Sequence, residues 1–312
     1  MKTARRVPEP IVAISHGEDE AATVERALHL LPLERLIRPG DRVVVKPNWV
    51  GPHPLDSGAV TRPATLRAVL QALKRLSPGS LVVAEGTAHP NIANTLSVVG
   101  ADVVLREEDV RFVDLNHDPF VEVPIEHYDP TSVVMNAISQ EIDVLVSLCQ
   151  LKEHEEATVS LSMKNIALAF PAGQVYGYPK AEVSGVPRPG RRDLHSDLHG
   201  FIVAMNKILA IDLAIVSGHV AMVGTGPSRG KAVPARLVLA GTDPVATDVV
   251  AARLLGYKPQ AVAHLYRAIA NGLGEGDVNR IEMRGVPYED AARLFSQAAY
   301  GKEIVVGPRW SD

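Results

Sequence analysis

Asp143-Val-Leu-Val-Ser-Leu-Cys-Gln-Leu-Lys-Glu-His154, followed ten residues on by Lys164-Asn165, is the stretch from which the fold is read. Val144, Leu145, Val146 and Leu148 form a nearly continuous apolar run, the pattern of a strand covered on both faces in an α/β sheet. Lys152 and His154 then appear where that strand should end, and in open α/β sheets ligands bind at the carboxyl ends of strands. A charged surface loop, Lys-Glu-His-Glu-Glu, is the competing reading of the same residues.

Upstream, the pattern alternates. Arg42 to Lys46 reads as a strand, and Pro47, which has no N–H to donate, ends it with Lys46 and Asn48 beside its carboxyl end. Thr61-Arg62-Pro63 opens a helix whose stripe is Leu66, Val69, Leu70, Leu73 and Leu76. A helix N-terminus favours anions, which makes Arg62 a candidate ligand group. Leu81 to Ala84 is the next strand, and Gly86-Thr-Ala-His89 places a second imidazole after it. A helix over 92–99, a strand over 102–105 and a strand over 112–115 complete the first part. Strands alternating with helices predict an α/β fold with a largely parallel sheet and helices on both faces. The Pro124 to Pro130 segment suggests two α/β lobes, 1–130 and 131–312, with the site at strand carboxyl ends.

Downstream, Lys164-Asn165 sits among small and apolar residues, and a lysine so placed is a candidate nucleophile. A salt bridge to Glu153, Glu155 or Glu156 would explain it equally. Pro171 to Arg192 reads as an irregular loop, with Arg188, Arg191 and Arg192 on it. His195 and His199 are four apart, so a helix starting at Asp193 or Ser196 would put both on one face, able to share a metal. After a strand over 211–216, Gly224, Gly226 and Gly230 punctuate a loop whose N–H groups could cradle an anion. It lacks the spacing of a Walker loop or a dinucleotide fingerprint. Asp243 and Pro244 start a further helix, and Asp248 in its second turn needs a purpose beyond capping.

Composition narrows the function. A net charge of -4 and a pI near 6.3 provide no general field for nucleic acid or an anionic membrane. Cys149 is the only cysteine, so neither an intrachain disulfide nor an iron–sulfur cluster held by this chain's cysteines can form. Without a secretory or spanning apolar run, the expected location is the cytoplasm.

Lys46-Pro-Asn48, Leu151-Lys-Glu-His154, Lys164-Asn165, the loop from Met222 to Gly230 and Asp243-Pro-Val-Ala-Thr-Asp248 together resemble the domain of unknown function 362 family over about Val43 to Gly276. Many members carry a ferredoxin-like cysteine module, which this chain lacks. Thr61-Arg-Pro63, Gly86-Thr-Ala-His89 and the His154…Lys164 spacing are more distantly similar to the nickel-pincer lactate racemases. That likeness implies a lysine-tethered cofactor at Lys164 and nickel or another divalent metal, although Ser162-Met163 replaces the glycine pair before that lysine. The expectation is an enzyme for a small anionic substrate, with His89, His154 and Lys164 catalytic. Lys46, Asn48, Arg62, Lys152, Asn165, Gly224, Gly226, Gly230 and Asp248 would bind, and His195 with His199 would be metal candidates. A racemase- or epimerase-like enzyme and a non-catalytic anion-binding protein are the alternatives.

Overall fold

The computed structural model describes residues 1–178, 180 and 193–303, so Arg188, Arg191 and Arg192 lie outside the described residues. Twelve strands are described: β1 Ile11–His16, β2 Arg42–Lys46, β3 Ser80–Glu85, β4 Arg111–Asp114, β5 Phe120–Pro124 and β6 Ser132–Asn136 precede β7 Val144–His154. β8 Thr158–Val159, β9 Leu213–Val223, β10 Lys231–Val233, β11 Leu237–Gly241 and β12 Glu282–Gly285 follow it. The main sheet runs β12-β1-β11-β9-β7-β2-β3-β4, with β10 on β9 and β8 on β7, while β5 and β6 pair as a separate hairpin. From β9 through β7, β2 and β3 to β4 every pairing is parallel. β1 is parallel to β12, and β11 lies antiparallel to both β9 and β1.

Strands from both sides of residue 130 hydrogen-bond within this sheet: β2 pairs with β7, and β1 lies between β11 and β12. Successive residues face opposite ways, as a pleat requires. Val43, Val45, Val144, Val146 and Leu148 pack under the helices Glu20–His29, Pro63–Lys74 and Ala101–Glu107. Val44, Leu145, Cys149 and Leu151 pack with the helices Leu161–Ala167, Leu198–Ile208 and Pro244–Leu254. Both faces are therefore covered, which is why the central strands read as unbroken apolar runs.

Three expectations need correction. The expected strand over 102–105 belongs instead to the helix Ala101–Glu107, which follows the helix Ile92–Val98 through Gly100 at φ +66°. A short Val-rich run does not by itself distinguish strand from helix. β7 does not stop before its polar residues but continues through Lys152 and His154. The helix after residue 193 starts at Leu198 with Asp197 as its N-cap, so His195 precedes it and the two histidines do not share a helical face.

Candidate functional site

Lys46, Glu85 and the pair Lys152 and His154 close three adjacent parallel strands, β2, β3 and β7, at their carboxyl ends. Their side chains meet around a cavity of about 300 Å³ that Lys164, Asn165, Lys180 and His195 also line. A register shift between Gln150 and Lys152 marks a bulge in β7, a feature that re-aims side chains beside a site.

Glu85 anchors the floor. One carboxylate oxygen accepts the Trp49 N–H at 2.7 Å, and the other accepts Gly86 N–H at 2.9 Å and pairs with Lys46 Nζ at 3.0 Å. Lys46 also donates to Asn165 Oδ1 at 2.7 Å, and Asn48 Nδ2 donates to the same oxygen at 3.2 Å. Burial pulls the Lys46 ammonium down and pushes the Glu85 carboxyl up, while the ion pair opposes both shifts. Lys180 is held by three carbonyls, Gly86 at 3.0 Å, Leu168 at 3.1 Å and Ala169 at 2.8 Å. Three acceptors match an ammonium, and burial draws Lys180 down to about 7 against the raising pull of the Glu85 charge. A Cβ on Gly86 would lie 2.0 Å from Ala169 O, so this approach requires glycine.

Lys152 is fully buried and donates to Ala59 O at 2.8 Å and Pro227 O at 3.2 Å. Burial, then the neighbouring Lys164 and Lys46 charges, bring it to about 7. His154 Nδ1 accepts the N–H groups of Glu156 at 3.1 Å and Ala157 at 3.3 Å, and its Nε2 lies 2.9 Å from Lys164 Nζ. Burial and the nearby lysines push His154 down to about 2, so it stays neutral at pH 7 rather than titrating near 6.5. Burial draws Lys164 to about 8. Across the cavity His195 Nδ1 meets Glu156 Oε2 at 2.6 Å, and burial and then Lys164 hold this imidazole below its ordinary value despite that carboxylate.

The cavity thus gathers Lys46, Asn48, Lys152, His154, Lys164 and Asn165 from the expected set, together with His195. His89 lies outside the lining, its Nδ1 accepting the Asn91 N–H at 3.2 Å, although Thr87 and Ala88 reach the cavity. Arg62 pairs with Glu20 at 3.0 Å and does not line the cavity. Gly224, Gly226 and Gly230 also stay outside, and their loop reaches the site through Pro227. Gly226 instead packs on β7, where a Cβ would sit 1.9 Å from Glu153 O. Asp248 accepts the Ser162 and Met163 N–H groups at 2.9 and 3.0 Å, fastening the helix that carries Lys164. His199 faces His264, with Nδ1 atoms 3.3 Å apart and rings stacked at 5.5 Å.

Sequence reading missed Glu85, Lys180 and the Glu156–His195 contact. Glu85 did carry a signal, a carboxylate at a strand's carboxyl end, whereas Lys180 lies in a Pro/Gly-rich stretch without periodicity. Among the described residues no three His, Cys, Asp or Glu side chains are grouped to hold a metal ion, so His195 and His199 do not form part of such a set. No described helix is long and apolar enough to cross a membrane.

The family model described as "Domain of unknown function (DUF362)" matches residues 43–253, which include the cavity's strands and Lys164. A thylakoid-associated protein of Synechocystis sp. (strain ATCC 27184 / PCC 6803 / Kazusa) is 25% identical over 231 residues, covering 72% of this chain and 66% of that protein. The lactate racemase apoprotein from Thermoanaerobacterium thermosaccharolyticum is 17% identical, with a TM-score of 0.43 over 78% of this chain and 57% of that one. The chain spans less than two thirds of either relative's own length.

Proposed function

The chain belongs to the domain of unknown function 362 family, and from that premise we propose that it is an enzyme that binds a small organic carboxylate or phosphate and acts on it with the amine of Lys164. The observation that carries this reading is the convergence of Lys46, Lys152, Lys164 and Lys180 on one cavity at strand carboxyl ends. Of these, Lys46 has a carboxylate partner at 3.0 Å and Lys180 is spent on three carbonyls. Lys152 and Lys164 retain capacity for a ligand. Among the described residues neither is in a salt bridge, although Glu156, whose charge favours the Lys164 ammonium, shares the cavity; buried cations so placed are costly unless an anion completes them.

Lys164 is the nucleophile or base in this reading, His154 a neutral donor that positions it, and His195 with Glu156 the proton carrier. Phosphate and lactate serve as probe anions in titration calorimetry of the whole chain. Binding of at least one is expected, and Lys152→Met should weaken it by about 10- to 100-fold, the loss of one charge-assisted hydrogen bond of about 1.5–3 kcal/mol. Absence of binding by both anions at millimolar concentration would refute the anion site.

A further inference from the structure

We propose that Lys164 forms a Schiff base with 2-oxo acids, whose carboxylate the neighbouring Lys152 receives. This rests on the anion-site reading above and adds the carbonyl that the amine attacks.

The protonation state follows from hydrogen-bond geometry. His154 Nδ1 accepts two backbone N–H groups and so carries no hydrogen. A neutral imidazole must then carry its hydrogen on Nε2, and Nε2 lies 2.9 Å from Lys164 Nζ. An ammonium has no lone pair with which to accept that N–H, whereas an amine has one. The contact therefore favours the unprotonated, nucleophilic form of Lys164, which is populated near neutral pH and prevails above about 8. The downward pull of burial on this lysine acts in the same direction. Its side chain is part-exposed and lines the cavity, unlike the fully buried Lys152.

The step balances without any further reagent. The Lys164 nitrogen attacks C2 of the oxo acid, and the carbonyl oxygen gains a proton as the nitrogen loses one, giving a carbinolamine. The hydroxyl then leaves with a second proton as water, while the nitrogen lone pair forms the C=N bond. One proton is consumed overall when the product is the protonated imine. His154 is unsuited to supply it, because loss of its Nε2 hydrogen would leave an imidazolate. His195 is suited: with Nδ1–H against Glu156 at 2.6 Å, its Nε2 can take a proton from solvent and deliver it.

Pyruvate with cyanoborohydride tests the proposal, since hydride converts an imine into a stable secondary amine. The expected result is one pyruvate-derived adduct per chain, mapped by peptide mass spectrometry to Lys164 of the wild type. Lactate, which has the carboxylate but no ketone, should suppress it, and Lys164→Arg should abolish it. If lactate binds by calorimetry while pyruvate leaves Lys164 unmodified, the imine is refuted and the anion site stands. Equal labelling of Lys164→Arg and wild type would also refute it. If phosphate binds and neither acid does, the imine falls and the anion site stands; if phosphate and both acids all fail to bind, the anion reading falls and the imine with it. The wild-type map does not depend on the variant folding.

Discussion

His154 and Lys164 are ten residues apart, and strand β7, the two-residue strand β8 that turns back on it and one short helix bring Nε2 within 2.9 Å of Nζ. Because the N–H of the imidazole points at the amine, each group sets the state of the other: a neutral donor favours a neutral acceptor. Acylation of lysines by a limiting amine reagent across pH should therefore show Lys164 reacting with a midpoint near 8, below the exposed lysines near 10.4. His154→Ala removes the donor to the neutral form, so the Lys164 midpoint should rise. A midpoint unchanged in His154→Ala would show that burial alone sets it. The His154…Lys164 spacing was legible in the sequence because only ten residues separate the two. Its imidazole partner was not: His89 shares the strand-end pattern but stays outside the cavity, whereas His195 reaches it from the segment before the helix Leu198–Ile208.

The helix Leu161–Ala167 is only seven residues long and has no side-chain cap of its own at Ser160. Its first N–H groups would be orphaned in the core, and Asp248, from the second turn of the helix Pro244–Leu254, accepts two of them. Burial pushes that carboxyl up to about 7 while the N–H groups oppose the shift. Asp248→Ala should cost about 2–4 kcal/mol, the penalty of two buried donors left unpaired, and should weaken anion binding by displacing Lys164 and Asn165. Urea unfolding checks the first effect and calorimetry the second. In the sequence Asp248 stood out as a carboxylate that capping did not explain, since Asp243 already caps that helix at Ala246 N–H. Its partner was beyond local reading because the two helices are about eighty residues apart in the chain. The misread helix Ala101–Glu107 has the same origin: Val103 and Val104 fit either element locally, and packing against the sheet decides between them.

At the scale of the molecule, the parallel character of β9, β7, β2, β3 and β4 was implied by alternating strand and helix signals, but their order in the sheet was not. The position of β1 between β11 and β12 was not, because strand neighbours are set by pairings across more than two hundred residues. Helices on both faces of that sheet bury the site's bases deeply, which ties ligand binding and stability to pH. Lys152 and Lys180 are drawn to about 7 and Lys164 to about 8, from an ordinary 10.5. Between these folded values and the unfolded one, the unfolded chain holds more protons. Over that window the three lysines make the ligand-free protein more stable as pH rises from about 7 toward 10. An anion reverses the local balance by favouring the ammonium forms, so binding should take up protons and affinity should fall as pH rises through about 7 to 8. Calorimetry with lactate, whose carboxylate stays ionised over this range, at pH 7.5 in buffers of unlike ionisation enthalpy should return a positive proton uptake, and thermal melts should show stronger stabilisation by lactate at pH 7 than at pH 9. Identical binding enthalpies in every buffer would show that the lysines are already charged before the ligand arrives, and would remove the neutral amine on which the Lys164 chemistry depends.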